Sequence, residues 1–141
     1  MNLTDNFSLE ELCNSSTAKA KGIDNTPSPE VVNNLKLLAV NILQPLRATY
    51  GRPITVNSGY RSPALNKAVG GAGNSDHMYG RAADISVGSR AGNKILFDLI
   101  IKLKLPDDQL IFEKGSRKTG PDWVHVSFNP ARNRSQILYL V

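Results

Sequence analysis

The segment from Ser58 to Asp84, SGYRSPALNKAVGGAGNSDHMYGRAAD, decides how this chain is read. It carries His77, a run of glycines, and Asp84 seven residues after the histidine. Only one other histidine exists, His125, far downstream in PDWVHVSF. AADISV alternates, with Ala83, Ile85 and Val87 on one face and Ala82, Asp84 and Ser86 on the other. WVHVSF alternates too: Val124, Val126 and Phe128 belong to the core, and Trp123, His125 and Ser127 point away from it. If the two strands are neighbours, Asp84 and His125 share one wall, and small residues beside them leave room for a ligand. The glycine-rich loop lets the chain bend His77 back to that wall, with Gly80 suited to a tight turn. Ser75, two residues before His77, is close enough to orient it or to meet a substrate.

Outward from this segment the chain reads as helices around short strands. Ser8 and Glu11 have capping-box spacing, so a short helix is expected over Leu9 to Cys13 with Phe7 as its staple. AKAKGIDNTPSPE reads as a loop. From Glu30 to about Tyr50, Val31, Leu35, Leu38, Ile42 and Leu46 recur at helical spacing, and Ala39 and Leu43 widen the stripe. Pro45 lacks an N–H, so a kink or break is expected there. ITVNSGY reads as a strand, Pro63 opens a short helix through Val69, and Ser89 caps a second long helix. In that helix Ile95, Leu96, Leu99, Ile100 and Leu103 form the expected buried stripe. QLIFE, WVHVSF and ILYLV follow as strands. The result is one α+β domain over residues 1–141, with a central, mostly antiparallel sheet flanked by helices.

Composition narrows the function. A single cysteine, Cys13, excludes an intrachain disulfide and thiolate metal cages, and reads as a small buried hydrophobe. The start, MNLTDNFSLEEL, lacks the pattern of a secretory signal, and no apolar run approaches the ~18 residues of a membrane span. The expectation is a protein made in the cytoplasm, with no membrane partner. A net charge of +5 favours polyanionic surroundings such as nucleic acid, anionic lipid or an acidic cell wall. Nucleic acid is disfavoured because the basic residues are scattered and lack interleaved aromatics. No HExxH is present, so the helical zinc-protease arrangement is excluded.

Taken singly, a histidine in a strand is more often a satisfied polar residue than a ligand. An aspartate near arginines, here Arg61 and Arg81, is more often a salt-bridge partner. As a set, His77, Asp84 and His125 supply three ligands for zinc with a fourth position open. The segment Ser75 to Asp84 also fits the pattern S-x-H-x-x-G-x-A-x-D, and W-x-H follows downstream. With SGYRSPALNKAVGG and DQLIFE, these residues resemble the short, single-domain branch of the zinc D-Ala-D-Ala carboxypeptidases and dipeptidases, the LAS-type metallopeptidases. The likeness runs over nearly the whole chain.

The resemblance implies a hedgehog/D-Ala-D-Ala-peptidase-like fold and one Zn²⁺ per chain held by His77, Asp84 and His125. It implies Asp122 as general base and Arg61 as the group that polarises the scissile carbonyl or stabilises its oxyanion. Ser75 and Trp123 are expected to meet substrate. Asp122 carries a condition: in a regular strand a spacing of three puts it on the face opposite His125, whereas Gly120-Pro121 favours a turn there. If the strand runs regularly through Asp122, Glu113 is the alternative carboxylate. The expected activity is hydrolysis of a peptide bond in peptidoglycan stem peptides by a monomer, as a carboxypeptidase or an endolysin-like endopeptidase released in phage lysis. A non-catalytic wall-binding or virion domain of the same fold is the alternative.

Overall fold

The computed structural model describes residues 1–141. Five strands form one sheet: β1 (Thr55–Ser58), β2 (Ala82–Ser86), β3 (Gln109–Glu113), β4 (Trp123–Ser127) and β5 (Gln136–Leu140). They lie in the order β1-β2-β4-β3-β5, antiparallel except for the β3/β5 pair at one edge. The expected α+β architecture on a mostly antiparallel sheet is what the chain adopts.

Six α-helices accompany the sheet: α1 (Leu9–Cys13), α2 (Ser16–Lys21), α3 (Pro29–Leu38), α4 (Gln44–Tyr50), α5 (Pro63–Ala68) and α6 (Arg90–Lys102). Ser8, Ser15, Ser28, Ser62 and Ser89 each accept a hydrogen bond from the backbone N–H three residues on, which starts α1, α2, α3, α5 and α6. Between α3 and α4 the chain forms a π-helical stretch, Ala39–Leu43. The break expected at Pro45 takes this form: Pro45 opens α4, and the π turn before it absorbs the missing donor while the rod continues.

One face of the sheet packs on the helices. Leu35, Leu38, Ala39, Ile42, Leu43 and Leu46 are fully buried against Ala83, Ile85, Val124 and Val126. The stripe read from sequence along α3 to α4 is therefore the core. Two expectations hold only in part. The segment read as a loop, which starts at Ala18, begins inside α2, whose last turn ends at Gly22 with φ +66°. In α6 the buried face is Asn93, Leu96, Phe97 and Ile100, while Ile95 is largely exposed. Phe97 stacks edge-on against Phe112, with ring centroids 5.2 Å apart, and the bulk of that pair sets the rotation of the helix. β2 is buried on both faces through Ile85, because the segment before it folds over the side away from the helices.

Replacing Leu35, which is fully enclosed, with Ala should lower unfolding free energy by about 2–5 kcal/mol. Denaturant titration should show this as a lower midpoint with an unchanged slope.

Candidate metal centre

The β2/β4 register places Asp84 directly opposite His125, so both side chains leave the same face of the sheet. On the next strand Ile111 stands opposite His125 and Glu113 opposite Trp123. His77 comes from a 3₁₀ turn, Asp76–Tyr79, that folds onto this face. Ser75 caps the turn by accepting from the His77 N–H at 3.2 Å, and Gly80 ends it with φ +71°. An added Cβ at Gly80 would lie 2.8 Å from the Val31 carbonyl oxygen, so this turn needs glycine for both reasons.

The three side chains converge. Asp84 Oδ1 is 3.0 Å from His125 Nδ1 and 3.4 Å from His77 Nε2, and the candidate ligand atoms all lie within 4.8 Å of one another. A tetrahedral zinc with ligands at ~2.0–2.1 Å separates its donor atoms by roughly 3.3 Å. The rings of His77 and His125 meet edge-on, 5.2 Å between centroids.

Protonation decides what such an arrangement requires. His77 Nδ1 lies 2.7 Å from the Gly59 carbonyl oxygen, which can only accept, so Nδ1 carries the proton. In the neutral ring the lone pair of Nε2 is then turned toward Asp84. Burial opposes ionisation of Asp84, but hydrogen bonding, first of all from His125, outweighs that and holds the carboxyl well below the usual carboxylate range. A bare nitrogen facing a carboxylate is repulsive unless a cation lies between them. One proton relieves one such pair, whereas a metal serves both histidines and the carboxylate together. The outward Nδ1–H bond to a backbone carbonyl is also the usual support of a metal-ligating histidine. The donor set fits zinc.

Arg61 stands beside this trio. Its Nη2 is 3.4 Å from Asp84 Oδ2, Nε donates to Ser58 Oγ at 3.0 Å, and Nη1 donates to Asn66 Oδ1 at 3.2 Å. Asn66, on α5, is itself held by donating to the Ala72 carbonyl. An added Cβ at Gly71 would stand 2.1 Å from Asn66 Oδ1, so the glycine-rich loop leaves room for the residue that orients the guanidinium. Asn25 donates to the carbonyls of Cys13 and Tyr60 and accepts from the Ser62 N–H, which clamps the Arg61 segment from both sides. Gly59 fits against the Leu12 carbonyl, where a Cβ would come within 2.2 Å. The sequence reading missed Gly59, Asn25 and Asn66. Only the adjacency of Gly59 to Tyr60-Arg61 and the place of Asn66 on the short helix signalled them.

The remaining site residues lie at the rim. Asp122 precedes β4, as the Gly120-Pro121 turn implies, and its N–H bonds to the Glu113 carbonyl although Glu113 is already paired with Trp123. Strand alternation therefore does not govern Asp122. Its carboxylate accepts from Arg90 Nε at 2.8 Å and is outside the ligand cluster. Glu113 lines a cavity of about 700 Å³ that also reaches His125 and Ser75. Burial, the largest influence, pushes the Glu113 carboxyl up, and the nearby His125 works against that shift. Trp123 lies on the His125 side of β4, with Lys114 Nζ 5.7 Å from its ring centroid. Burial pushes the Cys13 thiol up to about 11, so it stays protonated and takes no part.

The Peptidase M15 family model matches residues 5–127. This chain belongs to that family. The zinc D-Ala-D-Ala carboxypeptidase of Streptomyces albus G is 43% identical over 88 residues, a match that covers 60% of this chain and 32% of that protein. The chain thus spans about a third of the relative's length. The M15 assignment and the His-Asp-His cluster point to the same metal by independent routes.

Metal analysis of the purified protein should find about one zinc per chain. His77→Ala should lose it while keeping the native circular dichroism spectrum.

Proposed function

We propose that this chain is a zinc peptidase that hydrolyses a peptide bond in peptidoglycan stem peptides. The observation that carries the reading is the fixed His77 tautomer: its lone pair meets Asp84 and His125 at zinc-ligand spacing, beside an anchored arginine. The name of the Streptomyces relative supports the substrate class, and a net charge of +5 suits an acidic wall.

Zinc held by the trio would supply Lewis acidity, acidifying a water to a pKa of about 7 and polarising a carbonyl. The chain supplies the rest. Arg61, held by three side chains, presents positive charge where a tetrahedral oxyanion develops. Fixed donors of this kind are worth about 3–4 kcal/mol, because they need no reorganisation. His77 stays in its ligating tautomer through the Gly59 carbonyl. The small side chains of Ala82 and Ser127 form the neighbouring pair beside Asp84 and His125 on the same face.

Asp122 is proposed to carry the proton from the attacking water to the leaving amine. Its position three residues before His125 supports this, while its carboxylate is turned to Arg90 of α6 and does not line the cavity shared by Glu113 and His125. To act it must give up Arg90. That pair is about half exposed, and such pairs are worth about 0–1 kcal/mol. A positioned acid–base group contributes 10²–10⁴-fold, or about 3–5 kcal/mol. Releasing Arg90 therefore costs less than proton transfer gains. Ser75 fixes His77 through its cap and lies at the cavity where substrate enters, and Trp123 walls the rim.

Incubation with purified peptidoglycan, followed by mass spectrometry, should reveal a cleaved stem-peptide bond. Asp122→Asn should reduce the rate by roughly 10²–10⁴-fold with zinc retained, a larger loss than Glu113→Gln causes. The opposite order of effects would move the proton carrier to Glu113. Zinc binding without cleavage of any wall chemistry would leave a binding module.

A further inference from the structure

The cavity that opens onto His125 is lined by three carboxylates, Asp76, Asp108 and Glu113, as well as by basic side chains. Three arginines, Arg81, Arg132 and Arg134, stand at its lining. Two of them are committed. Arg134 forks onto Asp108 at 2.8 and 3.0 Å, and Arg132 lies 3.8 Å from the same carboxylate. Arg81 has no ion pair. Asp76 lines the same cavity without pairing with it. The Nε of Arg81 is buried with no hydrogen-bond partner, and its guanidinium carbon sits 5.3 Å from the centroid of the Tyr79 ring.

An unsatisfied donor on a cationic group is expensive, and native structures rarely keep one without use. The backbone of Arg81 is rigidly placed: its N–H bonds to the Asp76 carbonyl, and its own carbonyl accepts from Phe128. It immediately precedes β2, the strand that carries Asp84. On the other side of the trio, a pocket of about 280 Å³ is lined by Asn14, Ser15, Thr17 and Asn57 among others. The cation there is Arg61, already engaged by Asp84. One side of the metal thus offers an uncommitted guanidinium, and the other offers hydroxyls and amides.

We infer that Arg81 is a specificity-determining residue that binds a free carboxylate of the substrate peptide in the His125 cavity. This deepens the peptidase reading and rests on it. A planar guanidinium matches a carboxylate bidentately, and Tyr79 keeps its face covered. Two carboxylates occur in stem peptides: the C-terminal one, and the one left free on a γ-linked glutamyl residue. Their shared chemistry is what Arg81 reads.

The test uses the zinc-loaded full chain and two peptide pairs. One is acetyl-L-Lys-D-Ala-D-Ala with a C-terminal acid or amide. The other is an L-Ala-γ-D-Glu peptide with its α-carboxylate free or amidated. Equilibrium binding by calorimetry and kcat/KM are both measured. The acid should be favoured about tenfold or more in one pair, as expected for a charge-assisted hydrogen bond, and that pair identifies the source. Arg81→Gln should collapse the ratio to within about twofold, and Arg81→Lys should restore part of it. The wild-type comparison needs no variant, so a folding failure in Arg81→Gln does not rescue the inference. Equal binding of acid and amide in both pairs overturns it, as does an acid preference that survives Arg81→Gln. Discrimination in binding without any hydrolysis would instead refute the peptidase reading and leave the carboxylate site standing.

Discussion

Across 3.4 Å the Nε2 of His77 and a carboxylate oxygen of Asp84 face each other, both as acceptors when the ring is neutral. The contact is unfavourable on its own, because the Gly59 carbonyl has already claimed the ring's proton. The surrounding structure holds it in place. β2 cannot move Asp84, since it is paired with β1 on one side and β4 on the other. The 3₁₀ turn cannot withdraw His77, since Gly80 packs under Val31 and Ser75 caps the turn. A cation resolves the conflict, and the fold keeps the site ready for one at the cost of local repulsion without it. That is the preorganisation a metal centre needs, with ligands held by strands and a turn and their partners held in turn.

The same logic extends outward. Arg61 is positioned by Ser58, Asn66 and Asp84, Asn66 by the loop that Gly71 keeps slim, and the Arg61 segment by Asn25. The helices α3, α4 and α6 lie on the opposite face and contribute no ligand. Their role is to make the sheet rigid, with the long apolar stripe enclosing Ala83, Ile85, Val124 and Val126 directly behind Asp84 and His125. Burial on one face thus fixes the chemistry on the other, because a strand cannot slip by one residue without exposing its core side chains.

Much of this was legible in the sequence, for physical reasons. Period-two alternation in AADISV and WVHVSF assigns Asp84 and His125 to the non-core face, and pairing of the two strands then brings them together. The helical stripe from Val31 to Leu46 is long enough for its period to be unmistakable. Other features depend on partners distant in the chain. Asn25 reaches Tyr60 and Ser62, and nothing local to its loop signals that. The rotation of α6 follows from Phe97 meeting Phe112, a contact that helical periodicity cannot anticipate when Ile95 and Leu99 also fit the pattern. Helix α2 is short and polar, so its apolar signal is a single buried alanine, Ala18. The placement of Asp122 turned on where β4 starts, which alternation leaves open and the Gly120-Pro121 turn signals.

The central claim is that His77, Asp84 and His125 together bind one zinc ion in a tetrahedral site with an open position. X-ray absorption spectroscopy at the zinc edge of the loaded protein tests it most directly. The account predicts a four-coordinate shell of nitrogen and oxygen at ~2.0–2.1 Å, with imidazole scattering from two rings and no sulfur. A sulfur neighbour at ~2.3 Å, or a shell of oxygen alone without imidazole, would contradict it.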